Sequence, residues 1–571
     1  MQRVRAVLIV CVLASSPAIA QTPAAGGHVH YVAPPANQAA PSGALAPRLQ
    51  NLGPHTFPVS TRNRQAQRFV SQGLNLAYAF NHAEARRAFR EAARLDPNLA
   101  MAYWGQALVL GPNINAGMEP NEEPQAYELL QKAVSLKSRA SAREQALIDA
   151  LAQRYSGNAA DRAARDKAYA DAMRGVHRRF PQDFDAAMLY VESMMDLRPW
   201  GYWQLDGAPH EGTAEIVALT EQVIAKNPRH PGALHMYIHL LESTMPERAE
   251  KAADTLLTLM PAAGHMVHMP GHIYQRVGRY ADAIRSNELA IAADEDYITQ
   301  CRAQGLYPMG YYPHNIHFLW FAASADGQGA KAIEAARSLA AKIDDEMLKA
   351  APFTAGFRMV PYYALTRFGR WNDMLALPEP PAISAPLRAT WHYARGLARV
   401  ARNELPAADQ ELAQLKTLLG DESMKRPLFS PNLAGAILAI APEVLAGEIA
   451  AARGDYDRAI AHLDRAVRLE DSLVYTEPAE VHFPPRLALG AILLEAGRPA
   501  EAETVYWDDL RRNRESGWAL FGLGQALRAQ QKTDAAALID ARFKAAWVRA
   551  DVTLTASRLG RAIRAGQTAA R

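Results

Sequence analysis

Residues 73–97 read GLNLAYAFNHAEARRAFREAARLDP, and their spacing decides the fold. Gly73 is followed twelve residues on by Ala85, and Phe89, Ala92 and Pro97 come four, three and five residues after that. The frame returns downstream. Gly271, Tyr274, Ala283 and Ala290 keep it, as do Gly447, Tyr456, Ala459, Leu463 and Ala466, then Gly490, Ala502 and Tyr506, then Gly524, Leu527 and Ala536. Small residues at such positions let two antiparallel helices approach closely, an aromatic ring fills the remaining gap, and proline ends the second helix.

This frame resembles the tetratricopeptide repeat, a helix–turn–helix unit of ~34 residues. The resemblance implies an all-α superhelix, a solenoid with a concave groove in which each helix pair buries its face against the next. About ten units fit between residues 64 and 550, clearest in five or six of them and weakest around 100–180 and 350–420. No segment reads as a run of strands. The expected organisation is a signal peptide at 1–20, a flexible tether at 21–62, an N-terminal array at 63–350 and a C-terminal array at 351–571.

Within the repeats one residue type is concentrated. Seven of the 17 histidines fall in residues 235–317, where an even spread would put about 2.5. They are His235 and His239 in HPGALHMYIH, His265, His268 and His272 in GHMVHMPGHIYQ, and His314 and His317 in YPHNIHF. In the repeat family, the second, fifth and ninth residues of each first helix face the groove. Mapped residue by residue, that frame puts all seven histidines on one face of three consecutive units. Residues three and four apart on a helix are close enough to share a ligand. Pro270 falls either in the first turn of its helix, where its missing N–H is harmless, or deeper, where it would kink the helix and re-aim His265.

The chemistry this suggests is a transition-metal site. Imidazole suits zinc, copper and iron, and no cysteine pair is at hand. HMYIH has the zincin spacing, but Met236 stands where the peptidase mechanism needs glutamate. Glu242 continues the histidine stripe, and Glu192 and Asp196 sit four apart in LYVESMMDL. Each is a candidate carboxylate ligand, second-layer partner or base, and each is equally a solvated helix charge. Two insertions border the histidines, LRPWGYWQLDG with Trp200, and DYITQCRAQGLYPMGYYPH with Tyr307, Tyr311 and Tyr312. Trp200, Tyr311 and Tyr312 are candidate caps over the groove.

The N-terminus reads MQRVR, an apolar run, then Ala18-Ile19-Ala20, the three parts of a secretory signal with cleavage expected after Ala20. Periplasmic or secreted localisation follows from it, with no transmembrane segment after cleavage. Cys301 alone would survive, so no internal disulfide is available. Lys+Arg total 62 against Asp+Glu 59, with no basic stripe, which argues against nucleic acid. No phosphate loop, convincing dinucleotide fingerprint or nucleophile elbow is present.

The whole mature chain also resembles a secreted bacterial group of long tetratricopeptide-repeat proteins of largely unassigned function. The resemblance rests on YAFNHAEARRAF, MAYWGQALVLGPNIN, MMDLRPW, GHMVHMPGHIY, YPHNIHFLW and the closing PPRLALGAILLEAGRPAEAETVYWDDLRRN. It implies fold, and a peptide, protein or small molecule in the groove. The expected function is therefore an exported repeat metalloprotein, with catalysis left open. The alternative is a metal-free scaffold for a partner in the cell envelope.

Overall fold

The computed structural model describes residues 43–301, 307–428 and 431–560. The expected signal sequence, and the tether up to residue 42, lie outside them. Among the described residues the regular elements are all helical, and extended pairing is limited to three isolated bridges. Successive helices pack as antiparallel hairpins, so the fold is an α–α repeat of tetratricopeptide type.

Two compact units are distinguished by their contacts. The first comprises residues up to Ile273 together with Leu289–Tyr312, and the second Tyr274–Glu288 together with the chain from Pro313. The chain passes between units within helices, where no change of composition marks the crossing.

The helices that matter for the site are α1 (Arg64–Tyr78), α2 (His82–Leu95), α3 (Ala100–Leu108), α4 (Glu123–Ser135), α5 (Ala142–Leu151), α6 (Arg162–Arg179) and α7 (Phe184–Asp196). They continue as α8 (Thr213–Lys226), α9 (Pro231–Leu241), α10 (Glu250–Leu256), α11 (Gly264–His268), α12 (Pro270–Arg276) and α13 (Tyr280–Cys301). Their starts are written locally. Asn63, Asn81 and Asp183 accept first-turn N–H groups of α1, α2 and α7, and Ser141 with Glu144 forms a reciprocal capping box on α5.

The Gly–Ala–aromatic frame has a direct physical meaning. Phe89 of α2 is fully buried as a wedge between α1 and α3. A Cβ added at Gly73 would lie 2.8 Å from its ring, and one at Gly105 would lie 2.3 Å from it. In the second unit Tyr506 does the same between Gly490 and Gly522, at 2.5 and 2.2 Å. One ring thus locks its own hairpin and the next.

Residues 43–62, expected as tether, are instead built into the first unit. Phe57 is fully buried, stacked on Trp104 with centroids 6.0 Å apart. Asn75 donates to the carbonyls of Leu52 and His55, and the Ser60 N–H donates to Glu144 at 2.7 Å. The sequence looks structureless because this strap has no periodicity of its own and takes its hydrogen bonds from the helices beside it, α1, α2, α5 and α7 among them.

One stretch of the second unit, Ala434–Ala452, is long and apolar enough to cross a membrane by length and composition, which the sequence reading overlooked. It is 72% buried and pairs with the helix Tyr456–Asp471 as an ordinary repeat hairpin.

Candidate metal centre

Five of the seven singled-out histidines, His235, His239, His265, His268 and His272, are gathered in the first unit, each at most 2% exposed. Two come from α9, a helix buried along its whole length. Its start is fixed by His230, whose Nδ1 accepts the Ala233 N–H at 3.2 Å, and by Pro231 in the first turn. His235 and His239 follow at i and i+4, on one face. The other three come from the GHMVHMPGHIYQ stretch. Pro270 does both things its position allows. It opens α12, and it separates α12 from α11 at Met269. The break leaves His268 and His272 with their Nε2 atoms 2.8 Å apart.

The hydrogen bonds orient the rings. His235 Nδ1 donates to the Tyr78 carbonyl at 2.6 Å. Glu242, 1% exposed, takes His239 Nδ1 on one oxygen at 3.1 Å and His272 Nδ1 on the other at 2.7 Å. In all three residues the Nδ1–H is committed to an oxygen, which leaves the lone pair on Nε2. His235 Nε2 faces His265 Nε2 at 3.1 Å. His239 Nε2 and His265 Nδ1 are buried without a hydrogen-bond partner.

One ring nitrogen from each of His235, His239 and His265 lies within 4.8 Å of the others. Two nitrogens on one tetrahedral ion at ~2.0–2.1 Å stand about 3.3 Å apart, so little rearrangement would be needed to share one. Burial holds the pKa of all three well below the usual imidazole value, and neighbouring histidines add to the effect for each. The rings are therefore neutral at neutral pH, the state in which imidazole binds metal.

Aromatic residues wall the cluster. Phe80 lies over His235, His239 and His265 at centroid distances of 4.5, 5.9 and 5.5 Å. Trp200 presents an edge contact to His239 at 5.2 Å, and Tyr311 one to His265 at 4.8 Å. Tyr312, also expected as a cap, donates its hydroxyl to Glu295 instead. Tyr307 accepts the His265 backbone N–H and donates to Asp294.

The remaining carboxylates go elsewhere. Asp196 pairs with Arg154 at 2.8 Å, and neither it nor Glu192 hydrogen-bonds to the histidines. Both border a cavity of about 10 Å³ with His82 and Arg154. Burial raises the pKa of both, with the charge of Asp196 adding to the rise of Glu192. Their shared face of α7 is turned to a buried arginine that spacing alone did not reveal. His314 and His317 belong to the second unit. His314 meets Phe318 edge-on at 4.8 Å; His317 stacks on Trp320 at 5.4 Å, and burial lowers its pKa to about 3.

A second group, His55, Asp185 and His230, also has metal-like spacing. The hydrogen bonds exclude it as a neutral-imidazole site. Because His230 Nδ1 accepts from Ala233, its Nε2 must carry the proton given to Asp185 at 3.2 Å. His55 Nε2 and the Tyr78 hydroxyl meet the same Asp185 oxygen, each at 2.9 Å. The group borders a cleft of about 1010 Å³ that Arg143, Arg179 and Arg229 also line.

Sequence reasoning missed Tyr78, Phe80 and Asn115. The signals were present in YAFNH and GPNIN, at positions that the repeat frame does not fix.

No protein-family profile and no curated protein matches the chain. Solved structures similar to it include the APC/C hetero-tetramer Cut9–Hcn1, 14% identical, covering 82% of this chain and 79% of that one at a TM-score of 0.31. Others are the human IFIT1 dimer with m7Gppp-AAAA (11%, 85% and 90%, TM-score 0.31) and the P58(IPK) TPR domain (12%, 82% and 99%, TM-score 0.22). At these scores none informs the site.

Proposed function

We propose that the first unit is a metal-binding module that holds one transition-metal ion through His235, His239 and His265, with His268 and His272 beside it. The observation that carries the reading is His239. Its Nδ1 is committed to Glu242, and its Nε2 is buried with no partner among neutral rings. A buried, unsatisfied lone pair is costly, and a cation satisfies it. Glu242 supports the same reading. A carboxylate oriented on ligand imidazoles is the usual outer layer of a metal site.

Zinc, copper and iron all suit neutral imidazole donors. Three protein ligands would leave a fourth position open, the arrangement of catalytic zinc sites. Export after cleavage at Ala20 belongs to this proposal and would be checked by intact mass from a native host. The centre itself is tested by elemental analysis of natively produced protein and by cobalt(II) titration of metal-free protein. Four-coordinate cobalt bands are expected; a protein that takes up neither native metal nor cobalt would sink the reading. The cleft lined by Arg143, Arg179 and Arg229 together with Glu144, Asp183 and Asp185 favours a second reading, a scaffold that seats a peptide segment, which a peptide-binding titration would check.

A further inference from the structure

Two connections longer than a helix hairpin needs and one helical turn meet over the buried histidines of the first unit. They are residues 109–122 after α3, residues 197–212 after α7, and the turn Tyr307–Tyr311. At their meeting point is Trp200, whose φ of +64° puts a bulky side chain in the left-handed region although Gly201 follows it. Its indole N–H donates to Asn115 Oδ1 at 3.2 Å, and Asn115 Nδ2 donates to the Tyr311 hydroxyl at 3.3 Å. Asn115 is itself set by Asn113, whose side chain accepts the Asn115 and Ala116 N–H groups. The inner edges of the two rings rest on His239 and His265.

The wall is one side chain thick. Trp200 is 37% exposed, and the His239 ring it touches is 2% exposed. The indole N–H and the Tyr311 hydroxyl are joined by two long, neutral hydrogen bonds through Asn115, and the Asn113 side chain adds a second contact to the Tyr311 hydroxyl. The base of the Trp200 loop is firm: Trp203 donates to the Leu240 carbonyl at 2.6 Å, and the Thr213 hydroxyl to the Tyr202 carbonyl at 2.9 Å. Movement would therefore be confined to the short segment ahead of Tyr202. A backbone held in a disfavoured region by long, neutral hydrogen bonds, above a buried site, is a closed state poised to open.

We propose that Trp200, Asn115 and Tyr311 form the gate through which a metal ion, or a small ligand for its open position, reaches Nε2 of His239. The proposal rests on the metal reading for its cargo. The gate itself is a statement about access to His239.

The test uses the full mature chain carrying Asn115→Ala, which removes the two Asn115 hydrogen bonds, or Trp200→Gly, which accepts the positive φ and thins the wall. Two rates are measured: zinc transfer from loaded protein to excess chelator, and diethylpyrocarbonate modification of His239 in metal-free protein, read by peptide mass spectrometry. Both should rise at least about tenfold in each variant, with zinc stoichiometry and helical circular dichroism unchanged. His317, half-buried in the second unit, serves as the control and should keep its parent modification rate. A His239 rate within about twofold of the parent in both variants overturns the gate, as does equal acceleration at His317, which would mean general unfolding. If the parent never holds zinc, the metal reading falls while the His239 comparison still decides the gate.

Discussion

Glu242 receives the Nδ1–H of His272 at 2.7 Å on one oxygen while the other holds His239 at 3.1 Å. One buried carboxylate therefore sets the tautomer of two rings from different helices. Glu242→Gln keeps the shape but offers one carbonyl acceptor, and its amide group cannot accept the second Nδ1–H. One ring must turn or lose its partner. Metal affinity is expected to fall about 10–100-fold, the usual effect of losing such a partner, with helicity retained. A competition titration against a calibrated chelator measures it; unchanged affinity would remove Glu242 from the site.

Acid should destabilise the metal-free protein steeply. His235, His239 and His265 have folded pKa values well below the unfolded value near 6.5. Between the two values the unfolded chain binds more protons, so stability is fully present above about pH 6.5 and is lost as pH falls below it. The slope is up to about 1.4 kcal/mol per pH unit for each histidine, or about 2 kcal/mol each between pH 7 and 5. Urea unfolding at the two pH values tests this, and a flat profile would contradict the neutral, buried state of the rings. The same shift moves proton competition with metal below the pH 6.5 expected of an ordinary imidazole.

The repeat wedge makes a separate prediction about stability. Gly105→Ala places a Cβ 2.3 Å from the Phe89 ring, an overpacking expected to cost about 1–3 kcal/mol or more. Phe89→Ala empties the same space and should cost about 3–5 kcal/mol. Combined with Phe89→Leu, Gly105→Ala should lose less than the two single changes sum to, because the smaller side chain yields the room. Strict additivity in thermal unfolding would show that the ring and the glycine do not share one contact.

The fold was legible because this wedge is periodic. Gly73, Ala85 and Phe89 recur at fixed offsets, and the offsets are the contact. The histidines were legible for the same reason, since His235 and His239 lie one helical turn apart on a single face. What escaped was whatever a short, unrepeated segment supplies. Phe80 and Asn115 sit in YAFNH and GPNIN, at positions that no period announces. The partner of Asp196 escaped too, because Arg154 is 42 residues away in sequence. The strap at 43–62 was misread because its order is borrowed from the helices it crosses.

The two histidine groups of the first unit have similar spacing and opposite predicted behaviour. His239 has its Nδ1 bonded to Glu242 and a buried, unpartnered Nε2. His230 has Nδ1 accepting from Ala233 and Nε2 donating to Asp185, so neither nitrogen has a lone pair to give. His239→Ala should therefore abolish tight cobalt(II) binding, with at least about a hundredfold loss, and change the metal-free melting temperature less than His230→Ala does. His230→Ala removes the cap of α9, worth about 1 kcal/mol, and a hydrogen bond to the charged Asp185, worth about 1.5–3 kcal/mol. It should lower the melting temperature while leaving one cobalt ion bound, with weaker affinity through a frayed start of α9. Cobalt titration and thermal unfolding on both variants decide the matter. If His230→Ala loses the metal and His239→Ala keeps it, the centre lies at Asp185, and the hydrogen-bond assignment of the tautomers is wrong.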